Sequence, residues 1–498
     1  MTHEVVVVGA GVGGLTAAAL LAARGVSVCV VERESRGGGC AAGFEKFGYG
    51  FDPTAGLYAG WGAGEIFARV FAELKAAPPE ARRASPAYAV RMPGGAQVRF
   101  GGREAGEFEA ELRLAFPECA AAAVDFYRGM DALDAASREP SRPLNSRSIL
   151  SKLGLGARRR SDDEARSRLA HAETVAQNLA DASPRFRRFV DSQLQLFTLR
   201  TSGQCSRAEA ARALTAARRG LYALRGGAQS LADALADSIK GSGGSVRFDT
   251  TALRLAYDQA GAAVGVDLLS GETLRATRAV VSNLTAWDTY GKLVGAARTP
   301  ADVRARLKSL RGPGAYLVFL GVEEGAAERL PAERVLCVTD FDEGEDYDPA
   351  RGSLALNCAP AWDARAPAGS RAATLTTFAD TSEWFAYHED ESEHEAQDQG
   401  ALEFWWGRLH AALPELADGC EVIETLTPRG YYDLTRRRLG AVWGATPADG
   451  LSRADAQPFR THLPNLFMVG DTVSGGVGMS CVARAALAVA NVIAPPRA

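Results

Sequence analysis

The stretch Glu4-Val-Val-Val-Val8-Gly9-Ala-Gly11-Val-Gly13-Gly14, followed by an Ala/Leu-rich run from Leu15 to Arg24, decides the fold. Glu4 to Val8 is apolar and β-branched, which predicts a buried parallel strand. The run that follows the glycines predicts a helix closed by Gly25, and Val26 to Val31 predicts a second strand ending at Glu32. Glycine clusters are common, but here strand, glycines, helix, second strand and an acid eighteen residues beyond Gly14 stand in the order a dinucleotide fingerprint requires. Gly9 permits the tight turn, Gly11 lets backbone approach a pyrophosphate, Gly13 continues that cradle, and Gly14 lets the helix pack on the strand. The first N–H groups of the helix then face the phosphates. Glu32 can accept hydrogen bonds from a ribose.

The residues after Glu32 separate two dinucleotides. Arg33 leads into Gly37-Gly38-Gly39, a second glycine cluster that an NAD domain does not need. It brings further backbone near the phosphates of FAD, so FAD is the reading and NAD the poor second. The C-terminus agrees independently. Asn465 to Asp471 reads as a strand ending in Gly470-Asp471, then a glycine-rich turn to Gly478, then an Ala/Val-rich helix from Met479 to Ile493. The positive N-terminus of that helix suits the pyrimidine edge of a flavin, and Asp471 suits the ribityl chain. Between the termini, Gly226-Gly227 precedes a helical run to Lys240, and Val246 to Phe248, Ala252 to Tyr257, Val264 to Leu269 and Val280 to Asn283 read as short strands. Ala252 falls beside the nucleotide in this arrangement. A second glycine fingerprint is missing: Gly241-Ser-Gly243-Gly244 follows a helix and precedes a strand, the wrong order, so no dedicated NAD(P)H domain is expected.

These segments together resemble the phytoene desaturase and carotenoid isomerase family of FAD proteins, within the amine-oxidase-like flavoproteins. Tyr49-Gly-Phe51-Asp52 resembles the family's F-D-x-G stretch, and Leu224-Arg-Gly226-Gly227 its G-G-M segment. Val280-Val-Ser282-Asn283 is similar to V-V-S-N, and Leu426-Thr427-Pro428 with Tyr431, Tyr432, Arg436 and Gly440 to the late T-P motif. The resemblance covers nearly the whole chain, in order. It departs at Pro53-Thr54, where the family usually has a glycine two residues beyond Asp52, and at Cys40, where many relatives carry an arginine that reaches the phosphates. Arg33 or Arg36 is the candidate substitute. Gly470-Asp471-Thr472 looks more like the isomerase and saturase branch than the typical desaturase ending.

The resemblance implies an FAD-dependent oxidoreductase acting on carbon–carbon bonds of a hydrophobic polyene or isoprenoid, a carotenoid-type desaturase or isomerase, with hydride transfer at flavin N5 and oxygen or a quinone as electron partner. Two alternatives stay open: a flavin amine or amino-acid oxidase on the same fold, and a non-catalytic FAD-containing protein that binds a lipophile. Asp52, Tyr58, Tyr431, Tyr432 and Arg436 fall near the flavin by analogy, none assignable as catalytic. The expected fold is α/β. A discontinuous Rossmann-type FAD-binding domain spans 1–103, 222–290 and 455–498. A substrate domain has a helical part at 104–221 and a sheet with helices at 291–454. Ala105 to Leu114, Cys119 to Ala135, Glu164 to Ala182 and Arg185 to Leu199 read as helices. Residues 314–322, Val335 to Thr339 and Ala373 to Phe378 read as strands.

Composition bounds the rest. At 498 residues and 47% hydrophobic content the chain can build more than one core. Net charge is −4 with mixed signs, which gives no nucleic-acid groove. Eight scattered cysteines form no Cys-x-x-Cys pair, so each reads as a small hydrophobe rather than a metal or redox site. His388 to Glu395 gathers histidines and acids without an apolar residue; a solvated helix start explains it better than a metal site. No signal peptide and no spanning helix is read, so a cytoplasmic chain with peripheral contact at the inner membrane face is the expectation. Ser148 to Leu155 beside Arg158-Arg159-Arg160 is the stretch for that contact, although the acids Asp162 to Glu164 oppose it. Ile66 to Phe71 is amphipathic and reads as core. Trp61, Phe197, Tyr316, Phe319, Trp362 and Trp443 are candidate walls of an apolar tunnel, each more readily plain core.

Overall fold

In the computed structural model, strand Thr2–Val8 runs through the middle of a parallel sheet, its residues Val5 to Val8 almost wholly buried. The structure describes all residues except 103–104, 139–172, 340–347, 387–389, 443, 445, 448–458, 474–476 and 497–498. Val28–Val31 lies on one side of the central strand and Thr273–Ser282 on the other, both parallel to it. Ser245–Arg247 extends the sheet beyond the first, and Leu466–Met468 joins the second at Val280 to Ser282. Five parallel strands thus come from three separate parts of the chain. Both faces of these strands are buried: Val5, Val7, Val28 and Val30 pack in the core shared with the flanking helices, and Val6, Val8, Cys29 and Val31 pack with Leu255, Val266, Tyr290 and Leu293 on the other side.

Helix Val12–Ala23 has eleven of its twelve residues buried. Its alanines allow close approach of helix Gly227–Gly241 on one flank and helix Met479–Ile493 on the other. Residues from all three chain segments therefore share one core, and none of the segments could bury its apolar face alone. An antiparallel extension, Ala252–Tyr257 and Ala263–Leu268, continues from the first half of Thr273–Ser282 through a turn at Gly271.

The second domain is built on a seven-stranded sheet. Its order is Cys420–Leu426, Gly314–Glu323, Ser370–Ala379, Ser353–Cys358, Arg334–Val338, Tyr88–Arg91 and Gln97–Phe100. All neighbours are antiparallel except the pair formed by Arg334–Val338 and Tyr88–Arg91. Helix Glu391–Ala412 covers one face through Trp405 and Leu409. Helices Ala105–Ala115, Ala120–Arg138, Pro184–Thr198 and Arg207–Arg219 gather around an aromatic core of Phe100, Phe116, Tyr127, Phe186 and Phe189. Residues 88–100 pair in this sheet, although they lie inside the first segment of the FAD-binding domain as drawn from sequence. Strands of four residues carry too few alternations to declare their sheet.

The expected helices and strands are otherwise present where described. Of the run from Glu164 to Ala182, only Val175–Asn178 is helical among the described residues. Helix Ile66–Glu73 buries Ile66, Phe67, Val70 and Phe71 in the nucleotide-side core. The basic stretch near 148–160 and Trp443 lie outside the described residues. No helix among the described residues is long and apolar enough to cross a membrane.

Candidate functional site

The parallel strands end along one edge, and there the loops after Val8, Val31, Ser282 and Met468 enclose a cavity of about 580 Å³. Gly9, Gly11, Gly13, Glu32, Arg33, Gly38, Gly39, Ala252, Gly470, Asp471, Gly478 and Met479 all line it. Gly14 does not. It sits one step behind, where an added Cβ would lie 2.2 Å from the carbonyl oxygen of Gly9, so its part is strand–helix contact.

Backbone and glycine shape this wall. Gly9 takes φ +96° and donates its N–H to Val31 O at 2.8 Å, which turns the chain off the strand. Gly38 donates to Ala10 O at 2.8 Å and bridges to Gly11, so the two glycine loops abut. Side chains are excluded here: a Cβ on Gly11 would stand 2.5 Å from Asn283 Nδ2, and one on Gly13 would stand 2.6 Å from Asn283 Oδ1 and 2.9 Å from Val482. Glu32 closes the first strand pair. Its Oε2 accepts the Ala10 N–H at 2.6 Å and its Oε1 the Glu34 N–H at 3.0 Å, which fixes the carboxylate at the cavity edge.

The opposite wall carries an ion pair that sequence reasoning missed. Arg437 donates from Nη2 to Asp471 Oδ2 at 2.7 Å, from Nη1 to Oδ1 at 3.3 Å, and from Nε to Ala441 O at 2.7 Å. Gly444 N–H donates to Asp471 Oδ2 at 2.9 Å. Burial works against the Arg437 charge, but Asp471 outweighs it and holds the guanidinium protonated above its ordinary range. Arg437 sits in the run Arg436-Arg437-Arg438, where nothing local marks the middle residue. Asn283, whose amide packs under the three glycines, was legible only through the V-V-S-N resemblance.

Residues placed near the flavin by analogy divide. Tyr58 and Arg436 line the cavity. Asp52 is buried away from it, between Tyr58 OH at 2.6 Å, Arg365 Nη1 at 2.8 Å and Ala228 N at 3.1 Å. Burial and the neighbouring Asp52 push the Tyr58 phenol well above its ordinary value. Tyr431 donates its hydroxyl to the Cys40 carbonyl at 3.2 Å, and Tyr432 stacks edge-on with Phe385. None of the described tunnel aromatics lines the cavity. Trp61 stacks on Phe67, Phe197 meets Tyr88, and Tyr316 stacks on Trp384. Phe319 joins Phe44 and Phe51, while Trp362 lies under Arg82. At the His388–Glu395 cluster, Asp390 caps helix Glu391–Ala412 through the Glu393 N–H and His394 faces Thr427. No group of metal-ligating side chains occurs among the described residues. Cys29, Cys205, Cys337 and Cys358 are buried, as small hydrophobes would be.

A cradle of backbone N–H groups, closed to side chains and edged by a fixed acid, fits a dinucleotide. The family comparison identifies which one. Residues 12–494 match the model of the flavin-containing amine oxidoreductases, and the chain belongs to that family. It is an FAD-dependent oxidoreductase. It is 25% identical to the chloroplastic prolycopene isomerase of Arabidopsis thaliana over 99% of this chain and 82% of that protein. It is 24% identical to the all-trans-retinol 13,14-reductase of Danio rerio over 94% of this chain and 82% of that one. The crystal structure of an oxidoreductase from Methanosarcina mazei shares the fold, with a TM-score of 0.67 and 18% identity over 98% of this chain and 99% of the other.

Proposed function

We propose that the chain acts on carbon–carbon bonds of a hydrophobic polyene or isoprenoid, as a carotenoid-type desaturase or isomerase. Bound FAD supplies hydride acceptance or donation at N5, and the protein positions the reacting carbon. In this reading Gly9, Gly11, Gly13 and Gly14 shape the turn that receives the pyrophosphate. Gly38 and Gly39 add backbone from the second loop, Glu32 accepts the ribose hydroxyls, and Arg33 and Ala252 flank the adenosine. Gly470 and Asp471 meet the ribityl chain. Gly478 and Met479 open the helix whose N–H groups favour negative charge on the ring. Polyene and retinoid chemistry in the names of the two curated relatives supports this choice.

The observation that carries the substrate class is the apolar wall formed by Ala55, Leu57, Leu196 and Val477, which pack in one cluster and line the cavity together. None of these four side chains offers a carboxylate or a cation to anchor an amine or an amino acid, although Asp288, Lys292 and Arg436 line other parts of the same cavity. An amine oxidase on the same fold is the second reading, favoured by the family description. Electrons pass to or from oxygen or a quinone in the redox variants. A hydrophobic substrate also suits a cytoplasmic protein resting on a membrane.

An anaerobic titration of the purified flavoprotein tests the reading. Apolar polyenes are expected to bleach the oxidised flavin, which marks desaturation, or to be altered only after chemical reduction, which marks isomerisation or saturation. Bleaching by amines alone would transfer the chain to the amine oxidases. A flavin that dithionite bleaches but neither polyene nor amine affects would favour a non-catalytic lipophile-binding protein.

A further inference from the structure

We infer that Arg437 is the buried cation that positions the phosphate-bearing part of FAD, replacing from the far end of the chain the charge that Cys40 does not carry. The inference rests on the FAD-binding site proposed above and concerns one residue within it. Three observations lead to it. Cys40 directly follows the Gly38–Gly39 loop that abuts Gly11, and all four residues line the cavity, so side chain 40 stands at the phosphate cradle without a charge. Neither nearby arginine fills the role. Arg33 is exposed and its Nε is paired with Glu34 Oε1 at 2.8 Å, while Arg36 is exposed and does not line the cavity. Arg437, by contrast, is buried, lines the same cavity as Cys40 and is held there by Asp471.

The geometry gives Arg437 two tasks. Its bonds to Ala441 O and to the two Asp471 oxygens account for three of its five N–H groups. The same bonds fix the plane of the guanidinium and orient Asp471, and they leave one N–H on each of Nη1 and Nη2 for a further acceptor. A planar, permanently charged guanidinium held in this way suits a phosphate oxygen better than a lysine's mobile point charge. Arg437 is a positioning residue in this account.

The test measures binding of FAD and of riboflavin, which lacks phosphate, to deflavinated wild type, Arg437→Met, Arg437→Lys and the double variant Arg437→Met with Cys40→Arg. Fluorescence quenching reads the Kd and circular dichroism checks folding. Arg437→Met is expected to weaken FAD binding about 10- to 100-fold, the range for a lost charge-assisted hydrogen bond, and to weaken riboflavin binding clearly less, because riboflavin loses only the orientation of Asp471. Arg437→Lys should recover part of the loss, and Cys40→Arg should recover part of it in the double variant. A folded Arg437→Met that keeps wild-type FAD affinity would overturn the inference. So would equal loss of FAD and riboflavin, which would make the residue a purely structural partner of Asp471. Should Arg437→Met fail to fold, absence of recovery in a folded double variant overturns it instead. Wild type that binds no FAD would defeat the cofactor reading itself, a result distinct from either.

Discussion

Arg365 reaches from the loop before strand Ser370–Ala379 to Asp52, with Nη1 2.8 Å from a carboxylate oxygen that also accepts the Tyr58 hydroxyl. Asp52 is 3% exposed, and its other oxygen accepts the N–H of Ala228 at the start of a nucleotide-domain helix. One carboxylate thus ties the second domain's loop to the first domain's helix. The same arginine holds Asp363, which in turn accepts the Gly226 N–H.

Breaking that tie from one side leaves a buried charge without its partner. Arg365→Met is expected to lower the unfolding free energy by about 3–5 kcal/mol, whereas Arg365→Met with Asp52→Asn should lose less than the sum of the two single changes. Chemical denaturation of all four proteins reads the coupling, and strict additivity would refute it.

Two glycines of the fingerprint should fail in different ways. Alanine at Gly14 would press on the Gly9 carbonyl, a backbone atom that cannot turn aside, at a cost of about 1–3 kcal/mol. Alanine at Gly11 meets chiefly the end of the Asn283 side chain and fills the cavity instead. Gly14→Ala is expected to lose thermal stability, and Gly11→Ala to lose bound flavin with a smaller drop in Tm. Flavin content and melting temperature measured side by side decide it.

Burial pushes the thiols of Cys337 and Cys358 up to about 12. At pH 8 the reactive thiolate is then about one molecule in ten thousand at each site. Iodoacetamide should alkylate half-buried Cys119 and Cys481 in the native protein and reach Cys337 and Cys358 only after unfolding. Mass spectrometry of timed digests checks this; rapid native labelling of either strand cysteine would contradict the packing.

Asp191, on helix Pro184–Thr198, is held above the ordinary aspartate value by burial, against the opposing pull of its bond from Ser202. A carboxyl raised on folding binds more protons in the native state. Its contribution to stability is therefore present at low pH and fades as pH climbs from the ordinary aspartate value, about 3.9, through the folded one. Asparagine at 191 has no such charge to bury. The Tm of Asp191→Asn relative to wild type should rise as pH climbs above the ordinary aspartate value, and a flat difference would show that Asp191 is not the titrating group.

Much of the nucleotide domain is legible in local pattern, because it depends on periodicity and on glycines. Val5 to Val8, Gly9 to Gly14 and Glu32 announce strand, turn and acid by spacing alone, and the structure brings twelve of the expected cofactor residues to one cavity. The tunnel aromatics show the limit of that reading. Phe319 and Trp61 are equally aromatic whether they wall a tunnel or fill a core, and only packing tells them apart.

Sequence by itself determined that this chain folds around a dinucleotide and is built from a discontinuous α/β domain with a second, sheet-based domain. The signals for those facts are local, namely strand and helix periodicity and the spacing of glycines and an acid, although the contacts that assemble the domain join distant segments. The tertiary structure alone decided that Arg437 grips Asp471, that Asp52 is a bridge between domains rather than a cavity residue, and that strands 88–91 and 97–100 belong to the second sheet. The two carboxylate–arginine pairs, and the pairing of strand 88–91 with strand 334–338, join residues far apart in sequence. A charge or a short strand carries no local mark of its distant partner; folding selects it when both are removed from water together.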